Sequence, residues 1–411
     1  MSNVHAVELT APFQNEPCYR NLPTQGIGGI ILGGDYQGLG IARSLGRRGV
    51  PVCVIDDEYS IARYSRYVTH SARVPNLRGE QKTIEVILDF GRRLGLEGWV
   101  LYPTRDETVA AISHYRDILS EFFRVPTPGW NSVQMIWDKR NTYNLASELN
   151  IPVPKTRVLR RVDDLHQAAR SFPVALKPAI KEHFFYATKA KAWRANNAVE
   201  LANRFQQAAD VLPLDEIMVQ DVVPGGGSHQ FAYCAFCKEG KPVASMVVQR
   251  SRQHPPEFGR ASTFVRSVEM PELEVLAERF LRAINYYGLV EVEFKLDPRD
   301  NEYKLLDVNA RTWGYHTLGA AAGIDFSYLL FADQMGAQLE RSRARPGASW
   351  VRLLTDLPGG IMQIARRELG LAAYLKSIFH SDAEAVFCLD DPLPGVAEIA
   401  LFPYLIYKRG F

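Results

Sequence analysis

The chain has 411 residues, with 48 Lys+Arg against 46 Asp+Glu, a formal net charge of +2, 46% hydrophobic and 23% charged side chains. At about 100–200 residues per domain that length fits two to four domains, and the composition excludes disorder, collagen and coiled coil. The charge balance lacks the basic excess that phosphate-backbone binding needs, which argues against nucleic acid as a partner.

In chain order, residues 1–25 read as a polar, proline-containing arm. The start, Met1-Ser-Asn-Val-His5, lacks the basic segment and apolar core of a secretory signal. No stretch approaches the ~20 apolar residues of a membrane span, so a cytoplasmic protein without a span is expected. The cysteines (Cys18, Cys53, Cys234, Cys237 and Cys388) are scattered and odd in number, which fits a reducing compartment. Cys234 and Cys237 make a CxxC inside an apolar run, read as ordinary strand residues rather than a zinc pair.

Gly28–Leu32, Leu39–Arg48 and Val50–Ile55 read as a βαβ unit, and a helix over Lys82–Leu94 and a strand over Trp99–Tyr102 extend it into a parallel sheet. Thr104 and Glu107 have capping-box spacing, so Glu107 is assigned to the helix start, with Arg105 and Asp106 left as substrate contacts. Ser132–Asn150 has helical spacing and stops at Ile151-Pro-Val-Pro154, with Lys139 in mid-helix and a domain boundary near 130. Lys177 ends the apolar strand Val174–Lys177, where burial penalises an unpaired charge that phosphate would satisfy. Met218–Val223 reads as a strand running into Pro224-Gly-Gly-Gly227; its unpaired backbone groups and the Gln220 amide suit a purine edge. Arg250 and Arg252, with Arg260 and Arg266, are candidates for an anionic substrate.

Two strands, Leu289–Asp297 and Tyr303–Arg311, carry the strongest signal. Alternation puts Glu291, Glu293 and Lys295 on one face, and Asp307, Asn309 and Arg311 on the matching face. A three- or five-residue loop sets Glu293 opposite Asp307 and Glu291 opposite Asn309, and like charges so placed repel. A hard cation, Mg2+ or Mn2+, would remove the conflict, and Arg311 would hold a phosphate. The alternative is an ion network neutralised by Lys295 and Arg311.

Glu291-Val-Glu-Phe-Lys295 with Leu305-Leu-Asp-Val-Asn-Ala-Arg311 resembles the ATP-grasp superfamily, with support from Leu176-Lys-Pro178, the Val219–Gly225 hinge, Gly33–Gly40 and Tyr64-Ser-Arg-Tyr67. The local wording is most similar to its carboxylate–amine ligase group, with a weaker echo at Asp390-Asp-Pro-Leu-Pro394. The resemblance implies α/β and α+β architecture: an N-terminal parallel-sheet domain over 26–130 and a two-subdomain ATP-grasp fold over 131–215 and 216–340, followed by an extension over 341–411. It further implies that Lys139 and Lys177 bind ATP phosphates, that Gln220 and the backbone of Asp221, Val222 and Val223 hold adenine, and that Glu293, Asp307 and Asn309 bind Mg2+ (or Mn2+). Arg311, with Lys177, would act on the transferring phosphate. The implied reaction joins a small-molecule carboxylate to an amine through an acyl phosphate. The residues between Lys177 and Trp193 lack the glycines of many ATP-grasp lids, and Lys181, His183, Lys189 and Lys191 are candidates to act there. Alternatives are a small-molecule kinase, a non-catalytic nucleotide-binding protein, and an NAD-dependent oxidoreductase using Gly33–Gly40 with Asp56 or Asp57.

Overall fold

The computed structural model describes residues 26–159, 164–165, 171–254, 258–259 and 261–409; the expected arm over 1–25 and Arg260 lie outside them. The first sheet has the order β3-β2-β1-β4, from β1 (Gly29–Leu32), β2 (Val52–Asp56), β3 (His70–Arg73) and β4 (Val100–Pro103), all parallel. Helices α1 (Tyr36–Gly46), α2 (Glu80–Leu94) and α3 (Asp106–His114) accompany it. Every residue of β1 is buried, as a parallel strand covered on both faces requires. Gly33 ends β1 at φ +101°, and a Cβ there would lie 2.2 Å from Thr104 Oγ1, so only glycine fits.

The expected helix over Ser132–Asn150 is two helices, α4 (Trp130–Trp137) and α5 (Lys139–Glu148). Asp138 is extended between them and its carboxylate caps α5 by accepting from Arg140 N–H, so Lys139 opens a helix rather than lying inside one.

A small antiparallel sheet has the order β5-β8-β6-β7, from β5 (Thr156–Val158), β6 (Val174–Pro178), β7 (Trp193–Ala195) and β8 (Ile217–Asp221). Because β8 is an inner strand of this sheet, the unit extends past residue 215, where the sequence divided it. Helix α6 (Lys181–Thr188) occupies the stretch where a glycine-rich lid was missing.

The large sheet runs β13-β12-β9-β10-β11-β15-β16, with β14 (Ser342–Arg343) paired to β10. Its strands are β9 (Gln230–Lys238), β10 (Lys241–His254), β11 (Ala261–Val268), β12 (Gly288–Asp297), β13 (Glu302–Asn309), β15 (Ser349–Val351) and β16 (Ala383–Glu384). Helix α7 (Pro271–Ala283) and helices α4 and α5 pack in one core against it. Cys234 and Cys237, three apart on β9, point into different cores and therefore cannot share a metal.

Residues 341–411 are not a detached tail. They supply β14, β15, β16 and helices α8 (Leu353–Ala365), α9 (Leu371–Phe379) and α10 (Leu393–Arg409). The Asp390-Asp391 pair bolts this region to the first domain. Asp391 is buried and accepts from Arg43 Nε at 2.9 Å, Ser65 Oγ at 2.7 Å and Arg66 N–H at 2.9 Å. Asp390 accepts from Arg47 and from the Tyr67 hydroxyl. Asp391→Ala would strand the buried Arg43 charge and is expected to cost about 3–5 kcal/mol, visible as an earlier first transition in a thermal melt.

Candidate active site

The predicted strand pair forms with the expected register at its polar end: Glu291 faces Asn309 and Glu293 faces Asp307. The reason differs. The strands are joined by the four residues Pro298–Asn301, and a bulge at Leu306 restores the pairing that this loop alone would have shifted. Arg311 lies just beyond the end of β13 instead of on the strand.

These strands form one wall of a cleft of about 650 Å³, and the other wall is the small sheet with Lys177 from β6 and Gln220 and Asp221 from β8. Lys139, Val222, Val223, Glu293 and Asp307 also line it. The hinge groups of Val222 and Val223 find no backbone partner among the described residues, which leaves them free for a flat polar ligand. Gln220 is buried, and its amide nitrogen donates to Thr156 Oγ1 at 2.7 Å.

The two lysines are held differently. Lys139 pairs with Asp307. Lys177 Nζ lies 2.5 Å from the Tyr143 hydroxyl, which in turn donates to the carbonyl of the bulged Leu306 at 2.8 Å. Burial pushes the Asp307 carboxyl up, but Lys139 and then Lys181 outweigh it and hold it below the usual range. Glu293 is likewise held low against burial, by Arg250 and then Lys191.

Arg250 was expected at the substrate; it is buried, pairs with Glu293, donates to Ser262 Oγ at 2.7 Å and lines the first cleft. Arg252 lines neither cleft: it is forked on buried Asp356 at 2.8–3.1 Å and packs over Phe264. Arg266 is exposed on β11. The neutralising partners of the acidic pair are thus Arg250 and Lys139, in place of the Lys295 and Arg311 of the alternative reading.

Asn309 donates its amide to Glu291 and Glu293, both at 3.1 Å, and its oxygen lies 3.4 Å from Arg311 Nη2. Glu291 is buried and also receives the Tyr315 hydroxyl; burial and then the neighbouring Glu293 push its carboxyl up. It is a support for the acidic face, not a wall of the cleft.

A second cleft of about 710 Å³ lies beside the first and is lined by Arg105, Asp106, Glu107, Arg311 and Arg352, among others. Asp106 is gripped by Arg311 Nε at 2.8 Å and by Lys181, and these cations hold its carboxyl well below the usual range despite burial. Arg105 is braced from behind by Asp56 and Asp57. Both Asp56 oxygens are engaged, by Gly34 N–H at 2.6 Å, Glu58 N–H at 3.1 Å and Arg105, and Asp57 pairs with Arg105 and Arg78, so neither carboxylate is open to a ribose. The capping box does not form: Thr104 donates to Leu32 O at 2.8 Å, and Glu107 accepts from Tyr186 at the cleft.

Lys181 and Lys191 line both clefts. Lys189 is exposed at the second cleft, and His183 is paired outward with Glu216. Burial lowers the Lys191 ammonium from 10.5 to about 8, with Glu293 opposing. Arg352 was missed by the sequence reading. It directly follows the short buried strand β15, a weaker form of the signal that singled out Lys177.

The fold and parts of the sequence have counterparts among known proteins. The family model described as carbamoyl-phosphate synthase L chain, ATP binding domain, matches residues 249–341. Biotin carboxylase from Campylobacter jejuni superposes with a TM-score of 0.62 at 15% identity, over 76% of this chain and 72% of that one. N5-carboxyaminoimidazole synthetase from Staphylococcus aureus, complexed with ADP, gives 0.62 at 14%, over 83% and 87%. L-amino acid ligase from Bacillus licheniformis gives 0.58 at 14%, over 75% and 74%. These likenesses show a shared fold. In sequence the chain is similar to D-aspartate ligase from Enterococcus faecium (strain Aus0004), 27% identical over 299 residues, which span 69% of this chain and 70% of that one.

Proposed function

We propose that the protein is an ATP-dependent carboxylate–amine ligase that works through an acyl phosphate. The observation that carries this reading is the pair of adjoining clefts sharing Lys181 and Lys191, with Arg311 and Asp106 lining the second. Phosphoryl transfer to an acceptor needs that arrangement of nucleotide, cationic partition and acceptor chamber.

Gln220, Asp221, Val222 and Val223 would hold adenine, while Lys139 and Lys177 would take the phosphates. The donors fit Mg2+ (or Mn2+): Glu293 and Asp307 offer hard anionic oxygens on opposed strands, and the described residues hold no cluster of three or more His, Cys, Asp or Glu ligands. Such a set leaves room for water and phosphate oxygens, as Mg2+ prefers. When bound, the ion would offset phosphate charge. A carboxylate oxygen attacks the γ-phosphorus as its bond to ADP breaks, with Arg311 stabilising the charge on the phosphoryl group. The amine then attacks the acyl carbon, and inorganic phosphate leaves. Small-molecule carboxylates and amines are the substrates, and Arg105 and Asp106, which line the second cleft, would contact them. No helix of the described residues is long and apolar enough to cross a membrane.

Incubation with ATP, Mg2+ and pooled carboxylates and amines should yield ADP and an amide by mass spectrometry. A stable phosphorylated product would instead identify a kinase, and absence of nucleotide binding in calorimetry would remove both readings. Lys191 supplies a separate check. Above about pH 8 its amine is largely neutral in the free protein, and phosphate at the cleft favours the charged form, so nucleotide binding should take up a proton there. Calorimetry in buffers of different ionisation enthalpy would show that uptake, and Lys191→Met should lack it.

A further inference from the structure

Four of the cations at the two clefts are paired with carboxylates: Lys139 with Asp307, Lys181 and Arg311 with Asp106, and Arg250 with Glu293. Lys177 is not. Among the described residues its ammonium meets only Tyr143, whose hydroxyl oxygen it reaches at 2.5 Å and whose ring centroid lies 5.0 Å away. A phenol is not a counter-ion, so the charge of Lys177 is held in place but left uncompensated. A phosphate arriving there displaces no carboxylate.

Donor chemistry fixes the direction of both bonds. An ammonium only donates, so the Tyr143 oxygen accepts from Lys177 and its single proton goes to the Leu306 carbonyl at 2.8 Å. Leu306 is the bulged residue of β13, directly before Asp307, whereas Lys177 comes from β6 on the facing wall. Tyr143 itself is buried in the core shared by α4, α5 and α7 and lines neither cleft. Lys139 stands one turn earlier on the same face of α5, so this helix grips Leu306 and Asp307 at successive points.

We propose that Tyr143 is a positioning residue for the polyphosphate of a nucleotide, a role that rests on the ATP-dependent reading above. Anchored on the Leu306 carbonyl of one wall, it fixes the Lys177 ammonium of the other relative to the Glu293–Asp307 pair. Without the hydroxyl the lysine keeps its charge but loses its fixed direction, and the cost of ordering its long stem then falls on ligand binding.

The test is calorimetry with Mg2+ and a non-hydrolysable ATP analogue, with adenosine as the phosphate-free control, on the wild type, Tyr143→Phe, Lys177→Met and the double variant. Tyr143→Phe should weaken the triphosphate by about tenfold and leave adenosine within about twofold. Added to Lys177→Met it should cost about twofold or less, because the group it positions is already gone. Equal losses for both ligands would make Tyr143 a packing residue, and additive losses in the double variant would mean that it acts apart from Lys177. Either result, or an undiminished triphosphate affinity in Tyr143→Phe, overturns the proposal and leaves the ATP reading standing. A wild type that binds no nucleotide overturns both. The substitution keeps the ring in its core, which an unchanged thermal melt checks. Should that variant not fold, Lys177→Met alone decides: a loss confined to the triphosphate supports the proposal, and an undiminished affinity overturns it.

Discussion

Asp307→Asn is expected to lower Mg2+-dependent nucleotide turnover by about a hundredfold or more, and Glu293→Gln to do the same. The two carboxylates face one another across the ladder, and each is paired with a buried cation, Asp307 with Lys139 and Glu293 with Arg250. Those cations hold both groups ionised at neutral pH, the form a divalent ion requires. Removing one negative charge also leaves Lys139 or Arg250 uncompensated in the cleft, so activity alone is an ambiguous readout. The decisive measurement is the divalent-metal titration. Each variant should need far more Mg2+ for half-maximal turnover, and an unchanged metal dependence in both would sink the metal assignment. Asp307→Glu keeps the charge and should keep most of the turnover.

The second large effect concerns Arg311. Arg311→Met should reduce kcat by roughly 10²–10³-fold while the KM for ATP moves only a few-fold, because the guanidinium lines the second cleft and not the first, where the nucleotide is proposed to bind. Arg311→Lys should recover little: the native side chain reaches Asp106 with Nε and Asn309 with Nη2, a two-sided geometry that an ammonium cannot copy. A rise in KM for ATP with kcat unchanged would instead place Arg311 in nucleotide binding. Steady-state kinetics over a range of ATP concentrations separates the two.

Much of the first cleft's lining was legible in the sequence because it rests on local rules. Strand alternation put Glu293 and Asp307 on one face without knowledge of the fold, and a charged residue closing an apolar strand exposed Lys177. The register came out right although the loop has four residues, since Leu306 bulges; a bulge has no sequence signature as strong as a turn does. What was missed depends on distant chain. Arg250 and Arg252 sit two apart on one strand with equal claims by sequence, yet one meets Glu293 and the other Asp356, more than a hundred residues away. Asp106 was a minor candidate, and its grip by Lys181 and Arg311 exists only because three separate elements converge there. The boundary at 215 failed for a related reason: β8 joins the small sheet between β5 and β6, and antiparallel pairing over long separations leaves no local mark. The C-terminal region looked like an appendage because its acidic pair finds its partners, Arg43 and Arg47, across some 340 residues.

Lys181 and Lys191 form a wall common to two chambers, and a wall so placed makes the two occupants thermodynamically interdependent. A polyphosphate that draws those ammonium groups toward itself changes the field felt next door, and an anionic guest next door must change the hold on the polyphosphate by the same factor. Affinity for either, measured alone, therefore describes a different state from the one in which both are seated.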